Sequence, residues 1–243
     1  MPGSGDMIPR ETIATARIPG GDELTLVRHG ADYMILIDRN ELMSTRMQGS
    51  EEALATMSCE MIAGRKKPHM LVGGYGMGFT LRAALAALPP DARVTCCELV
   101  PAIIEWARGP MRELMAGCLD DPRVSLVQGD VAAVIRAARS DFDAILLDVD
   151  NGPDGLVRAA NNELYGERGL RSAKLALRPG GVLAIWSAAK DDAFTRRLKR
   201  TGFTVNEVAV RARSNGKGAR HVIWFASAQP DRQVPVPGTA NSA

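Results

Sequence analysis

The 243-residue chain has few aromatic residues, few histidines and no long apolar run. Aromatic side chains make up 5% of the sequence, and there are only 3 histidines. No apolar stretch approaches the roughly 20 residues that span a bilayer. The N-terminal residues also lack the apolar segment of a secretory signal. We therefore expect a cytoplasmic protein that has no membrane partner.

The sequence also has few residues that could form disulfides or metal sites. The four cysteines are Cys59, Cys96, Cys97 and Cys118, and no two of them form a C-x-x-C pair. Structural metal sites need closely spaced cysteine and histidine ligands. We therefore expect reduced, buried thiols and no metal site.

The charges nearly balance, with 30 basic and 28 acidic residues and a net charge of +2. This balance argues against general binding of polyanions. Basic residues do cluster between Arg196 and Arg220, where they can neutralise phosphates. No aromatic stacking platform accompanies them. We therefore do not expect a nucleic-acid partner, although RNA modification stays open as an alternative.

From residue 67 onward, short apolar strands alternate with helices. The predicted strands begin at His69, Arg93, Val124, Phe142 and Val182. One of the intervening helices is predicted over 101–115. Two final strands, over 205–211 and 221–226, flank an Asn-Gly turn signal. This pattern predicts an α/β fold, a Rossmann-like, doubly wound and mostly parallel seven-stranded sheet with a C-terminal antiparallel hairpin.

The region before this domain has a different sequence pattern. Two β-rich runs over 23–28 and 33–38 predict a small N-terminal β-hairpin region, and a helix is predicted over 50–63. The predicted organisation has four parts. They are a flexible N-terminus over 1–20, the hairpin and helix over 21–66, the Rossmann-like domain over 67–228 and a disordered tail over 229–243.

A glycine-rich run lies between the first strand of the Rossmann-like domain and its helix. Glycines there let the backbone approach a nucleotide or nucleoside closely. The run is not a P-loop, because no Gly-Lys-Ser/Thr follows it. We expect the Tyr75 ring to lean on the ligand. The candidate cofactor-binding residues of this run are Gly73, Gly74, Tyr75, Gly76, Met77 and Gly78.

Acidic residues follow the next two strands. Glu98, followed by Leu99, ends the second strand about twenty residues after the glycines, where a carboxylate accepts hydrogen bonds from a ribose diol. Gly129 and Asp130 follow the third strand, where an acid can accept a hydrogen bond from the adenine amine. Leu99 and Gly129 complete this half of the predicted cofactor site.

The loop after the fourth strand is the predicted catalytic segment. It contains Asp148, Asp150 and Asn151, and it faces the crevice at the strand ends. A carboxylate there can orient or deprotonate an amine. Asp148 and Asp150 are the catalytic candidates, with Asp148 also beside the cofactor. The candidate substrate-binding residues are Asn151, Tyr165 and Trp186.

These motifs together resemble the spermidine-synthase-like branch of the class I S-adenosylmethionine-dependent methyltransferases. The family's Gly-Gly-Gly-Asp-Gly-Gly-Thr-Leu-Arg run is similar to residues 73–82, and its Val-Glu-Ile-Asp-Pro run to 97–101. Its Asp-Pro-Arg and Gly-Asp motifs are matched at 121–123 and 129–130. The resemblance covers residues 20 to 228.

The resemblance implies a transferase with a nucleoside pocket. The implied cofactor is S-adenosylmethionine or decarboxylated S-adenosylmethionine, and the implied partner is a small-molecule acceptor. The family's catalytic aspartate corresponds to Asp148. The resemblance also implies a homodimer formed through the N-terminal region.

Three departures from the family pattern affect the acceptor side. Met77 replaces an aspartate that helps bind the donor's aminopropyl amine. The Asp-Glu-x-x-Tyr motif is absent at 49–53, and the second acid of the catalytic loop falls at Asn151. These departures favour methyl transfer to a small amine or other small nucleophile. Aminopropyl transfer is the alternative, and a non-catalytic nucleoside-binding relative or an RNA-modifying enzyme is a further one.

Overall fold

The structure is a computed structural model that describes residues 9–18, 22–149 and 164–228. Within these ranges it contains two β-sheets and six α-helices. The strands are β1 Glu11–Arg17, β2 Glu23–His29, β3 Asp32–Ile37, β4 Asn40–Ser44, β5 His69–Gly73, β6 Arg93–Glu98, β7 Val124–Gln128, β8 Phe142–Leu147, β9 Leu177–Ser187, β10 Phe203–Arg211 and β11 Arg220–Ala228. The helices are α1 Gly49–Met61, α2 Phe79–Ala87, α3 Pro101–Arg108, α4 Val131–Ala137, α5 Glu167–Ala176 and α6 Asp192–Arg200.

The larger sheet has seven strands in the order β10-β11-β9-β8-β5-β6-β7. Strands β5 to β9 are parallel, and β11 pairs antiparallel with both β9 and β10. The predicted α/β class, the parallel sheet and the terminal hairpin are thus confirmed. The order changes direction beside β5, so the ends of β5, β6 and β8 open a crevice at that point.

Strand β8 shows why this sheet lies in the interior. All of its residues, Phe142–Leu147, are buried, as expected for a parallel strand covered on both faces. One core packs on the face that carries α1, α2 and α3, and a second core packs on the face that carries α4, α5 and α6. The described helices are too short or too polar to cross a membrane.

The smaller sheet is a four-stranded antiparallel meander, β1-β2-β3-β4, rather than a single hairpin. Strands β2 and β3 are the predicted pair. Strand β1 lies within the segment that we expected to be flexible, and its mixed Thr/Ala/Arg sequence hides the alternation that marks a strand. The buried side chains of Leu24, Leu26 and Ile35 turn one face of this sheet towards the main domain.

A buried carboxylate stabilises the amino-terminal ends of the parallel strands, at the opposite end of the main sheet from the crevice. Asp143 of β8 is 2% exposed and accepts hydrogen bonds from Arg65 Nη1 and Arg178 Nη1, each at 2.7 Å. It also accepts from the backbone N–H of His69 at 2.8 Å. Because every partner is charged or a backbone donor, the buried charge is compensated.

We predict that Asp143→Ala lowers the free energy of unfolding by about 2–3 kcal/mol, because two guanidinium groups and a buried N–H lose their acceptor. Asp141→Ala is the matched control. Asp141 is half-exposed and contacts His69 and Arg93 at 3.1 and 3.9 Å, so its loss should cost less than about 1 kcal/mol. Urea unfolding of both variants measures the difference, and equal losses would contradict the prediction.

Candidate active site

The glycine run holds three strand ends together through its backbone. Gly74 N–H donates to the Cys97 carbonyl, and Asp148 N–H donates to the Gly73 carbonyl, both at 2.9 Å. Gly74 has a φ of +85°, and a Cβ at this position would collide with the carbonyl oxygen of Asp148. Glycine is therefore required at 74 for the loop to come this close to the end of β8.

A cleft of about 230 Å³ lies over this loop, between the two sheets. The small sheet supplies an apolar roof, and the strand ends of the main sheet supply a floor with several acids. The residues of the roof are Ile18, Leu24, Ile37, Leu42 and Met43. Met43 comes close to the glycine loop, because a Cβ on Gly76 would lie 3.3 Å from its sulfur. The small sheet therefore forms one wall of the site.

Most of the predicted site residues reach this cleft. They come from the glycine loop, from the ends of β6, β7 and β8, and from β9. The predicted residues that line the cleft are Gly74, Gly76, Met77, Glu98, Leu99, Gly129, Asp130, Asp148 and Trp186. Asp150 and Asn151 lie outside the described residues, so their assigned roles remain predictions.

Four of the predicted site residues do not line the cleft. Tyr75 is 3% exposed, and its hydroxyl lies 3.6 Å from Cys118 Sγ, beneath the loop. The expected ring contact with the ligand is therefore wrong. Gly78 lies behind the loop against Tyr75, and Gly73 is buried at the end of β5. Tyr165 is 1% exposed and packs edge-on against Phe194 in the core, while its neighbour Leu164 lines the cleft.

Glu98 braces the glycine loop from below. Its Oε2 accepts hydrogen bonds from Tyr75 N–H at 2.9 Å and Gly76 N–H at 3.3 Å. Its Oε1 accepts one, from Val100 N–H at 2.8 Å. A carboxylate oxygen has two lone pairs, so Oε1 retains an acceptor position for a ribose hydroxyl. Glu98 therefore shapes the loop as well as lining the cleft.

Asp130 combines a structural bond with an exposed oxygen. Its Oδ1 accepts from Ala132 N–H at 2.8 Å and caps helix α4. Its Oδ2 lies 3.8 Å from Arg136 Nη2, and the side chain is half-exposed. The cap fixes the direction of the carboxylate at the mouth of the cleft, where the sequence predicts the adenine ring.

Asp148 lies at the end of β8, partly buried in the cleft. Its Oδ2 accepts a hydrogen bond from Thr80 Oγ1 at 3.0 Å. Burial raises the pKa of this carboxyl to about 6, against the smaller opposite effect of the Thr80 bond. A carboxyl with such a pKa is ionised at neutral pH and can still accept and release a proton.

Glu51 is a cleft residue that the sequence analysis missed. It lies in the first turn of α1 and lines the cleft beside Asp148. Burial and the charges of Asp148 and Glu52 raise the pKa of its carboxyl well above the usual range. An acid in the first turn of a helix ordinarily serves the helix dipole. The signal that could have identified it is its position within 49–53, where the resemblance places the family's Asp-Glu-x-x-Tyr motif.

The charges of the cleft have one sign. Its acids are Glu51, Glu98, Asp130 and Asp148, and none of the described lining residues is Lys, Arg or His. Asp130 has Arg136 beside it, whereas Glu51, Glu98 and Asp148 have no basic partner among the described residues, and buried or partly buried carboxylates without a counter-charge are costly. A cationic ligand removes that cost, so the cleft favours cations.

Trp186 forms one side of the cleft, and the residues packed behind it hold its ring in place. Its ring packs edge-on against His221, with ring centroids 4.8 Å apart. His221 Nδ1 lies 2.9 Å from Ser50 Oγ, and burial lowers the pKa of the imidazole. The indole Nε1 is buried without a hydrogen-bond partner among the described residues. The indole is thus held in place by ring packing.

Comparison with known proteins gives a family for this arrangement. The family model for the spermine/spermidine synthase domain matches residues 47–197, more than half of the chain. The chain belongs to the spermine/spermidine synthase family. The matched range includes α1, the glycine loop and the ends of β6, β7 and β8, so it contains the acids of the cleft. The resemblance stated from the sequence is therefore confirmed.

Curated relatives include two kinds of transferase. The polyamine aminopropyltransferase of Mycobacterium tuberculosis (strain CDC 1551 / Oshkosh) is 28% identical over 231 residues, covering 91% of this chain and 42% of that protein. Putrescine N-methyltransferase 2 of Nicotiana tabacum is 34% identical over 118 residues, covering 48% of this chain and 31% of that protein. The chain thus spans less than half the length of these relatives.

A solved structure supports the fold. The spermidine synthase from Thermotoga maritima aligns with a TM-score of 0.71 and 20% identity, covering 90% of this chain and 74% of that one. The family uses decarboxylated S-adenosylmethionine, which is one of the two donor forms expected from the sequence. The cleft fits such a group, because the backbone of the glycine loop and the carboxylates of Glu98 and Asp130 line one cavity.

We predict that Glu98→Gln and Asp130→Asn each weaken binding of the sulfonium donor about tenfold, because each removes a negative acceptor from the cleft. Asparagine still caps a helix, so the second variant leaves α4 intact. Asp120→Asn, at an exposed acid outside the cleft, is the control. Calorimetric titration measures the affinities, and unchanged donor affinity in both variants would refute the pocket assignment.

Proposed function

We propose that the protein transfers an aminopropyl group from decarboxylated S-adenosylmethionine to a small amine. The observation that carries this proposal is the cleft's set of four acids, of which only Asp130 has a basic side chain beside it, that of Arg136, among the described residues. Both reactants of such a transfer are cations, and both would be attracted by the same field. The relatives named for polyamine aminopropyl transfer support the same choice.

The electrostatics also favour the decarboxylated donor. S-adenosylmethionine carries a carboxylate, which needs a positive partner or several donors when it is desolvated. Decarboxylated S-adenosylmethionine has a sulfonium and an ammonium and no carboxylate. Within the described part of the cleft wall, the charged side chains suit the second molecule better than the first.

Met77 led the sequence analysis towards methyl transfer, because it replaces an acid that would hold the donor's ammonium. In the fold Met77 is 2% exposed and belongs to the apolar core, and it lines a cleft that still contains four acids. The loss of one acid at position 77 leaves the cleft negative. The inference from Met77 alone therefore carries less weight than the total charge of the cleft.

Asp148 has the position and the proton affinity for the central catalytic role. When bound, the donor supplies an electrophilic carbon next to sulfur: the acceptor nitrogen bonds to that carbon, the carbon–sulfur bond breaks, and its electron pair stays on sulfur. Asp148 accepts the proton that the acceptor ammonium must lose before its nitrogen can bond. Thr80 holds the carboxylate in place through Oδ2.

The apolar roof complements this chemistry. Ile37, Leu42 and Met43 can pack against methylene groups of the donor and acceptor while the floor binds their charged ends. The roof also excludes water from the reacting atoms, which strengthens the electrostatic contacts beneath it.

Methyl transfer to an amine is the second candidate. Two observations favour it: Met77 in place of an acid, and the similarity to putrescine N-methyltransferase 2 of Nicotiana tabacum. Both candidates place an amine next to Asp148. They differ in the donor, so donor binding distinguishes them.

We predict that decarboxylated S-adenosylmethionine binds at least about tenfold more tightly than S-adenosylmethionine, a difference of roughly 1.4 kcal/mol, because the negative cleft repels the extra carboxylate. Competitive calorimetry with both donors measures the ratio. A preference for S-adenosylmethionine would instead support methyl transfer, and binding of neither donor would refute both candidates.

We predict that kcat/KM for the donor, which reports the free enzyme, rises with pH through about 6, where Asp148 loses its proton. The sign follows from its role as a proton acceptor, which requires the ionised form. Asp148→Asn should lower kcat by about 10²-fold or more and remove this acid limb. An acid limb near pH 6 that persists in Asp148→Asn would assign it to another group.

A further inference from the structure

Helix α1 carries two adjacent acids, Glu51 and Glu52, whose side chains have different surroundings. Successive residues on a helix point about 100° apart. Glu52 points away from the cleft, to Arg82 Nη2 at 3.2 Å and Ser214 Oγ at 3.0 Å. Glu51 lines the cleft, and no side-chain hydrogen bond or ion pair to it is present among the described residues. Glu52 is therefore paired with Arg82, whereas Glu51 has no described partner and is available to a ligand.

Hydrogen bonds and packing at the start of α1 fix the position of Glu51. Gly49 N–H donates to the Ala212 carbonyl at 2.9 Å. A Cβ on Gly49 would collide with the backbone of Arg213 and Ser214, so the β10–β11 turn packs directly on the helix start. Ser50, 1% exposed, contacts His221 on β11. Glu51 follows these two anchored residues.

Thr80 links Glu51 to Asp148. Its hydroxyl donates to Asp148 Oδ2 at 3.0 Å and lies 3.5 Å from the Glu51 carbonyl oxygen. Thr80 is 1% exposed, so this link is rigid. The two carboxylates therefore belong to helices and strands that are bonded together at one point, and both line the same cavity beside Trp186.

We propose that Glu51 determines acceptor specificity, and that its carboxylate and that of Asp148 together bind the reacting ammonium group of the acceptor. The proposal rests on the proposed function, because it assigns the amine to the same cleft. Glu51 orients the amine through an ion pair, in which the ammonium charge favours the ionised form of the Glu51 carboxyl, while Asp148 accepts the proton. An acceptor with a hydroxyl in place of the ammonium leaves two carboxylates uncompensated and is rejected.

The charged groups around Glu51 set how it responds to pH. They are Asp148 at the end of β8, Glu52 on its own helix with Arg82 of α2, and His221 of β11 behind Ser50. Asp148 is the group that faces it across the cleft. The charge of Asp148 raises the pKa of Glu51, so Asp148 ionises first and its ionisation does not depend on a charge at position 51.

The test is amine binding to the protein saturated with 5′-methylthioadenosine, which is neutral and cannot react. Putrescine and 1,4-butanediol are the probes, and Glu51→Gln and Glu52→Gln are the matched variants. We expect Glu51→Gln to weaken putrescine binding at least tenfold and to weaken donor binding by a clearly smaller factor. Glu52→Gln should leave both within twofold, and butanediol should bind to none of the proteins.

A second readout distinguishes binding from a general structural effect. The acid limb of kcat/KM should stay near pH 6 in Glu51→Gln, because it belongs to Asp148, and Glu51→Asp should recover part of the putrescine affinity. A melting temperature of Glu51→Gln at or above that of the wild type shows that the fold is intact, because an unpaired acid has been removed. Wild-type putrescine affinity in a folded Glu51→Gln protein overturns the proposal.

Failure of this inference can be told apart from failure of the proposed function. If the wild type forms an aminopropylated product and Glu51→Gln has an unchanged KM for the amine, the role of Glu51 is wrong and the function stands. If the wild type binds putrescine through Glu51 without aminopropyl transfer, the role stands and the function is wrong. If the wild type binds no putrescine, the inference is overturned with the acceptor assignment.

Discussion

The site depends on the close contact between the backbone of the glycine loop and the ends of three parallel strands. Gly74 is bonded to β6, Asp148 is bonded to β5, and the loop has room for these bonds only because residue 74 lacks a Cβ. Glu98 then accepts the loop's N–H groups from below. This one contact fixes the position of the glycine loop relative to the carboxylate of Asp148.

Around that contact, the chain separates paired acids from unpaired ones. Asp143 and Asp121 are held by arginines and serve the fold. Glu51 and Asp148 lie in the cleft with no cation beside them among the described residues. Asp143 is thus compensated by arginines at the amino ends of the parallel strands, whereas most of the cleft acids at the carboxyl ends have no described basic partner. This excess of acids is the physical reason for proposing an amine acceptor and a dicationic donor.

The sequence predicted the parts of this arrangement that repeat along the chain. Phe142–Leu147 was recognised as a strand because a strand buried on both faces is continuously apolar. Helix α3 was predicted to reach 115 and ends at Arg108, because the Gly109–Pro110 step opposes further helix. Glu51 and the inward position of Tyr75 escaped prediction, because both depend on contacts between elements distant in sequence. The direction of a side chain beside a glycine turn is set by Cys118, 43 residues away.

The unpaired acids also connect ligand occupancy to the stability of the fold. The pKa of Asp148 is raised in the folded chain, so between about pH 4 and 6 the folded state binds more protons than the unfolded one. The contribution of Asp148 to stability is therefore most favourable below about pH 4 and declines as the pH rises to about 6. A cation bound in the cleft would add stability by mass action. Because residues of both sheets line the cleft, we expect such a cation also to stabilise the small N-terminal sheet against the main domain.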